Sequence, residues 1–275
     1  MKIDAHHHLW VFDTVRDAWI DDSMAVIQKD FLAPDFKEVL HHHQFDGCIS
    51  VQAEQSEKEN DFLLEQALGN DFIKGIVGWV DLRANNIEDR LAHYYQEPLI
   101  KGFRHILQGE KQRDLMLQPD FKNGISLLAK YNFTYDILIF PDQLQFAEQL
   151  VKAFPNQKFI IDHIAKPDIK NQHIKDWEKD IRAIANHDNV YCKVSGMVTE
   201  AHWQLWKEED FKPYLDIVFE AFGIKRLLYG SDWPVCNVAG GYTKALNILK
   251  NYTDKLSTNE QALFFGENAV DFYNI

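Results

Sequence analysis

The chain has 275 residues, 46% of them hydrophobic, which is enough for one large core: a single α/β barrel or two smaller domains. Twenty-nine basic against forty-two acidic residues leave a net charge of −13, a balance that repels phosphate backbones and anionic membranes and so argues against nucleic acid or a membrane as partner. Three cysteines (Cys48, Cys192, Cys236) make no disulfide framework, no apolar run approaches the ~20 residues of a membrane span, and no basic-then-apolar leader opens the chain, so a cytoplasmic location is expected.

Short β-rich runs alternate with longer amphipathic ones. Strands are predicted over 2–7, 46–53, 74–80, 100–106, 134–140, 158–164, 189–195 and 226–232. Helices are predicted between them over 34–43, 57–68, 87–96, 121–131, 143–153, 176–186 and 211–222, with further helical stretches over 243–251 and from 258 onward. Runs such as KGIVGWV and RLLYG are almost wholly apolar, as parallel strands buried on both faces must be. Eight such units predict one closed (β/α)8 TIM barrel domain spanning 1–275. An open doubly wound sheet is the alternative, but it usually wants a Gly-rich phosphate turn after its first strand, and HHHLW offers none. The connections 9–33 and 196–210 are long and rich in aromatics, and both follow strands, which puts them on the C-terminal rim as pocket walls or lids.

Polar residues gather where a barrel builds its active site, at the strand ends. In MKIDAHHHLW, strict alternation sets Ile3, Ala5, His7 and Leu9 on one face and Asp4, His6, His8 and Trp10 on the other. His6 and His8 therefore project together, the way two imidazoles reach one metal or one substrate atom. The second strand ends in Gln52 and Glu54, the fourth in Arg104 and His105, the sixth in Asp162 and His163, the seventh in Lys193 and Ser195, and the eighth in Asp232. A carboxylate closing the apolar run LLYGSDWP costs free energy unless it is paired or coordinated. The plainer reading of Asp232 is a helix cap ahead of Pro234. Lys193 inside a barrel needs a partner, either a ligand or a neighbouring acid such as Asp162 or Glu200. Trp10 and Trp233 adjoin the motifs and offer flat faces for a substrate ring. A second histidine run, His41–His43, ends a helix and suits its dipole.

IDAHHHLW, VQAEQSEKENDFLLEQA, GFRHILQ, IDHIAKP, KVSGMVTEA, FGIKRLLYGSDWPVC and GENAVDFY, in this order along the chain, resemble the amidohydrolase-related family of sugar lactonases. That group includes L-fuconolactonase-like and L-rhamnonolactonase-like enzymes, with 2-pyrone-4,6-dicarboxylate lactonase more distant. The resemblance implies an amidohydrolase-type barrel that opens a small sugar lactone. It carries the family's paired histidines onto His6 and His8, the strand-six histidine onto His163 and the strand-eight aspartate onto Asp232. The lysine that bridges two metals in many relatives has no counterpart, since strand four ends GFRHI. One divalent metal at most, zinc in the first instance, is implied, held by His6, His8 and Asp232 with His163 or Glu54 as a further ligand. The alternative is a metal-free site in which Arg104, His105, His163 and Lys193 polarise the carbonyl. On either reading Asp232 is the expected base, His163 or Arg104 the oxyanion partner, and Arg104, His105, Lys193, Trp10, Trp233 and Gln52 the substrate contacts. Rival readings are a metal-dependent decarboxylase of an aromatic acid and an inactive barrel that binds sugar acids. The oligomeric state is open, a homo-oligomer included.

Overall fold

The computed structural model describes residues 1–275. Eight parallel strands form one sheet in the order of the chain: β1 (Ile3–His7), β2 (Gly47–Val51), β3 (Ile73–Gly78), β4 (Ile100–His105), β5 (Thr134–Ile137), β6 (Phe159–Ile161), β7 (Val190–Val194) and β8 (Leu227–Tyr229). The sheet closes just past β8, where Asp232 N donates to His6 O at 2.8 Å and His8 N donates to Trp233 O at 2.7 Å. The expected barrel is the observed one. Helices α1 (Ala33–His43), α2 (Glu57–Ala67), α3 (Ile87–Tyr94), α4 (Pro119–Leu128), α5 (Leu144–Ala153), α6 (Lys175–Ala185), α7 (Glu208–Phe222) and α8 (Tyr242–Thr253) follow the strands in turn, and α9 (Thr258–Ala262) and α10 (Asn268–Tyr273) end the chain.

Local chemistry sets the boundaries. Pro34 and Pro119 sit in the first turns of α1 and α4, where a missing N–H costs nothing. The Ser56 side chain accepts from Lys58 N to start α2, and Ser257 and Glu260 form a capping box at α9. Strands β5, β6 and β8 are shorter than their apolar runs, because the chain leaves the sheet where it delivers polar groups to the rim.

Most of the core lies between strands and helices. A second apolar cluster fills the barrel: Ile3, Ala5, Ile49, Val51, Val77, Ile160 and Leu228 meet Ala269, Phe272 and Tyr273 of α10, which plugs the N-terminal end. No helix is long and apolar enough to cross a membrane.

Candidate active site

The first strand does not deliver its histidines by simple alternation. Ile3 and Ala5 face the barrel interior, so an unbroken strand would turn His6 and His8 outward with Asp4. Between Asp4 and His7 three steps of β1 oppose only two of β2, Cys48 to Ser50, which marks a β-bulge. One extra residue reverses the facing of all that follows. His6 and His8 therefore point inward. His7 points out, stacked on Phe36 at 4.0 Å and bonded to Ser50 Oγ at 2.8 Å. Asp4 Oδ1 holds the bulge to the end of β8, accepting from His6 N at 3.2 Å and from Ser231 N at 2.9 Å. Gly230 has to be glycine for the two to approach, since a Cβ there would lie 2.6 Å from His6 Cβ.

His8 Nδ1 lies 2.8 Å from Val51 O, and a carbonyl can only accept, so that nitrogen carries the proton and Nε2 keeps its lone pair. His6 Nδ1 lies 3.4 Å from Asp162 Oδ1 and 3.3 Å from Lys193 Nζ, while Arg104 Nη1 lies 3.4 Å from its Nε2. The guanidinium can only donate, so the lone pair belongs on Nε2 and the Nδ1 proton turns to the carboxylate. The two Nε2 atoms stand 3.2 Å apart, and Asp232 Oδ1 lies 3.4 Å from that of His8 and 3.9 Å from that of His6. Two lone pairs beside a carboxylate repel unless a cation or proton lies between them. Tetrahedral bonds of ~2.0–2.2 Å separate ligand atoms by ~3.3–3.6 Å. The 3.2 and 3.4 Å separations match this and the 3.9 Å one needs a small turn of the carboxylate, so this donor set fits one metal ion. His163 Nε2 is 3.9 Å from Asp232 Oδ1, within reach of the same group. Burial lowers both His6 and His163, the latter to about 4, which keeps them neutral ligands or donors. Burial alone would raise Asp232, but the His163 and His8 rings beside it outweigh that and hold it below the ordinary carboxylate value.

Beneath these groups lies a buried ionic network. Arg104 Nη1 donates to Asp162 Oδ2 at 2.9 Å, and its Nη2 donates to Gln52 Oε1 at 3.0 Å. Lys193 Nζ is 3.1 Å from Asp162 Oδ1 and 3.3 Å from His6 Nδ1, and also donates to Asp136. Tyr273 OH reaches Asp136 Oδ2 at 3.1 Å, tying the α10 plug to the site. Burial opposes ionisation of Asp162, yet Lys193, His6 and Arg104 together keep it far below its ordinary range.

Past β6, His163, Ile164, Ala165 and Lys166 all adopt positive φ, from 48° to 59°. A left-handed turn of non-glycine residues costs about 1–2 kcal/mol per residue and persists only where its surroundings impose it. Here Trp177 Nε1 donates to Ile164 O at 2.8 Å, and His163 Nδ1 meets Ser195 Oγ at 2.9 Å. Gly196, at φ +60°, leaves room for the His163 ring. The turn sends His163 toward Asp232 and Lys166 toward Glu200.

A cavity of about 450 Å³ opens over the barrel mouth, lined by His8, Arg104, His163 and Asp232 below and by residues of the two long loops above. Several expected contacts lie elsewhere. His105 follows Arg104 on the strand and so faces outward, against Phe121 and bonded to Glu110 Oε1 at 2.8 Å. Lys193 is wholly buried in its carboxylate pairs, and Gln52 is spent on Arg104, so neither lines the cavity. Glu54, beyond the end of β2, faces Arg16 and stands outside the histidine cluster. Trp10 donates to Lys29 O and packs on Phe31, while Trp233 stacks on Phe36, and neither lines the cavity. The aromatic walls are instead Trp19 and Trp203, one from each long loop. Sequence reasoning also passed over Lys166 and Asp136, although the acid within the apolar run TYDILIF gave the same signal that singled out Asp232.

A sequence model of the family described as Amidohydrolase matches residues 3–275. The chain is 32% identical to an L-fucono-1,5-lactonase of Burkholderia multivorans, over 99% of this chain and 96% of that one. It is 26% identical to an L-rhamnono-gamma-lactonase of Scheffersomyces stipitis over 64% of this chain and 60% of that one. The crystal structure of an amidohydrolase from Burkholderia multivorans with bound zinc superposes with a TM-score of 0.97 at 32% identity, covering 100% of this chain and 99% of that one. Eight parallel strands, an inward histidine pair on the first and an aspartate past the last are thus joined by a match along almost every residue, and the chain belongs to the amidohydrolase family.

Proposed function

We propose that the chain hydrolyses a small sugar lactone, of the L-fucono-1,5-lactone or L-rhamnonolactone class, as one catalytic domain over residues 1–275 working in the cytoplasm. The observation that carries this is the convergence of His6 Nε2, His8 Nε2 and Asp232 Oδ1 within 3.2–3.9 Å of one another at the floor of the cavity. The lactonase relatives support the choice of substrate.

Asp232, held ionised, takes a proton from water poised against the lactone carbonyl. His163 Nε2 and the Arg104 guanidinium face the same space and supply donors to the oxyanion that forms. When the ring opens, the leaving alkoxide stays tethered to the acyl carbon, so the proton on Asp232 can return to it and one carboxylate serves both steps. Val51 O and Asp162 fix the two imidazoles in the orientation that ligation needs. A zinc ion in the His6, His8 and Asp232 set would supply Lewis acidity, sharpening the water and polarising the carbonyl. Trp19 and Trp203 offer faces to the sugar ring.

A pH-indicator screen of aldonolactones, with L-fucono-1,5-lactone and L-rhamnonolactone included, tests the reading. Acid release from at least one is expected. Silence on all of them, with CO2 released from a hydroxybenzoic acid, would replace a lactonase by a decarboxylase; binding without turnover would leave a sugar-acid-binding barrel.

A further inference from the structure

On the wall of the cavity that carries Trp203 stands one ion pair, Lys166 with Glu200, its Nζ and Oε1 3.6 Å apart. Both side chains are about one-fifth exposed. The pair also lines a neighbouring surface cleft of about 610 Å³, so it stands where the reaction chamber meets solvent. Nothing in the hydrolytic chemistry above uses it.

We propose that Lys166 and Glu200 form the hydroxyl-recognition element of this site, selecting lactones that carry ring hydroxyls over bare ones; this rests on the lactonase reading. An isolated lysine on the wall would suit an anionic substituent. Glu200 beside it cancels that attraction and repels a second carboxylate, as does Asp232, which lines the same cavity. What a close ammonium–carboxylate pair does suit is a neutral group that both donates and accepts. Lysine donates to a hydroxyl oxygen while the carboxylate accepts the hydrogen of the same or the adjacent hydroxyl. The separation of 3.6 Å is longer than a tight contact, and the Thr199 hydroxyl meets Glu200 Oε1 only at 3.4 Å, so both charged groups can turn to a ligand.

The backbone supports the same role. Lys166 ends the left-handed turn that begins at His163, and its N–H donates to His163 O at 2.8 Å. Glu200 ends the turn Met197–Glu200, and Glu200 O accepts from Lys170 N at 2.9 Å, which joins the two loops. One hydrogen-bonded stretch of chain thus carries His163 and, three residues on, Lys166 to the lining of the same cavity, with Glu200 tied to it. Such preorganisation is what lets contacts remote from the reacting atoms act in the transition state.

The test compares kcat/KM for L-fucono-1,5-lactone and for δ-valerolactone, which has the same ring without hydroxyls. In K166M and E200Q the ratio of the two is expected to fall by about 10- to 100-fold, the worth of a hydrogen bond to a charged group. K166R, which keeps the donor, should retain most of the wild-type ratio. Thermal midpoints of all three variants identify any that misfold. If K166M and E200Q slow both lactones equally, the pair is structural and the proposal fails while the lactonase reading stands. If wild type opens neither of these, the ratio is taken with whichever aldonolactone of the screen it does open; if it opens none, the lactonase reading fails, and this one with it.

Discussion

Lys193 Nζ stands 3.1 Å from Asp162 Oδ1, and neither side chain touches solvent. With Asp136 on its other side, Lys193 is the countercharge of two interior carboxylates. Removing it strands them both. Lys193→Met should therefore cost about 3–5 kcal/mol of stability, as breaking a buried pair does. Urea unfolding measures this. A substrate-binding lysine would behave otherwise, raising KM with little change in the unfolding midpoint.

Asp232→Asn keeps the shape of the side chain but removes the proposed base. Hydrolysis is expected to fall by about 10²–10⁴ in kcat. The far-UV circular dichroism should be unchanged, because the backbone bonds around residue 232, from Asp232 N to His6 O and from Cys236 N to Asp232 O, do not involve the side chain. Retention of most of kcat would remove Asp232 from the mechanism.

The His6, His8 and Asp232 set should hold one equivalent of metal, measurable by elemental analysis of the purified protein. Dialysis against a chelator should lower lactone hydrolysis by about 10²-fold or more, and zinc should restore it. His8→Ala should lower the metal content below one equivalent under the same dialysis. Full activity after complete metal removal would favour the metal-free route through Arg104 and His163.

The barrel was legible because eight short β-rich runs, several almost wholly apolar, alternate with amphipathic ones and leave few other arrangements. The donors were legible for a similar reason: an acid or a histidine at the end of a buried strand demands an explanation. The geometry behind them was less so. Alternation along β1 sets His6 and His8 on one face, as the structure does, but it puts Asp4 with them; the bulge shifts the phase between Asp4 and His7, and polar residues on both sides of it hide that shift in the sequence. The same alternation, applied to β4, would have turned His105 away from the site once Arg104 faced in. Adjacency to a motif suggested Trp10 and Trp233, whereas the cavity walls come from loop residues that fold back over the rim, a tertiary fact that local sequence does not encode. Asp136 was readable within TYDILIF and was missed.

Glu59 gives a pH dependence outside the histidine cluster. It accepts from Ala53 N at 2.8 Å, and burial pushes its carboxyl up from 4.5 to about 7, with Glu54 adding repulsion against partial relief from Arg16. The folded state thus holds this proton to higher pH than the unfolded state does. From pH 4.5 to about 7 the native protein binds more protons, so this group's contribution falls as pH rises through that window and stays low above it. The full span is about 3 kcal/mol at most. Glu59→Gln keeps an oxygen for Ala53 N and cannot ionise. Its melting temperature should match wild type near pH 5 and exceed it by several degrees at pH 8, by scanning calorimetry.

Gly196 and Gly223 separate backbone strain from placement of the catalytic ring. Both have positive φ, but Gly196 (φ 60°, ψ 9°) is ordinary left-handed backbone, where an alanine costs about 1 kcal/mol, while Gly223 (φ 66°, ψ 160°) lies in a region almost confined to glycine, so the backbone penalty is the larger at Gly223. Their surroundings differ. A Cβ at Gly223 meets nothing within 4 Å, while one at Gly196 would lie 2.5 Å from His163 Nδ1 and 2.7 Å from its Cγ. Gly196→Ala must therefore push the imidazole off Ser195 Oγ and away from Asp232. Displacements of about 1 Å at a reacting group cost on the order of 10²-fold in rate. A loss of that size in kcat is expected for Gly196→Ala, against near wild-type kcat for Gly223→Ala even though its melting temperature should fall at least as far. Equal kcat in the two variants would mean that the position of His163 does not matter to turnover.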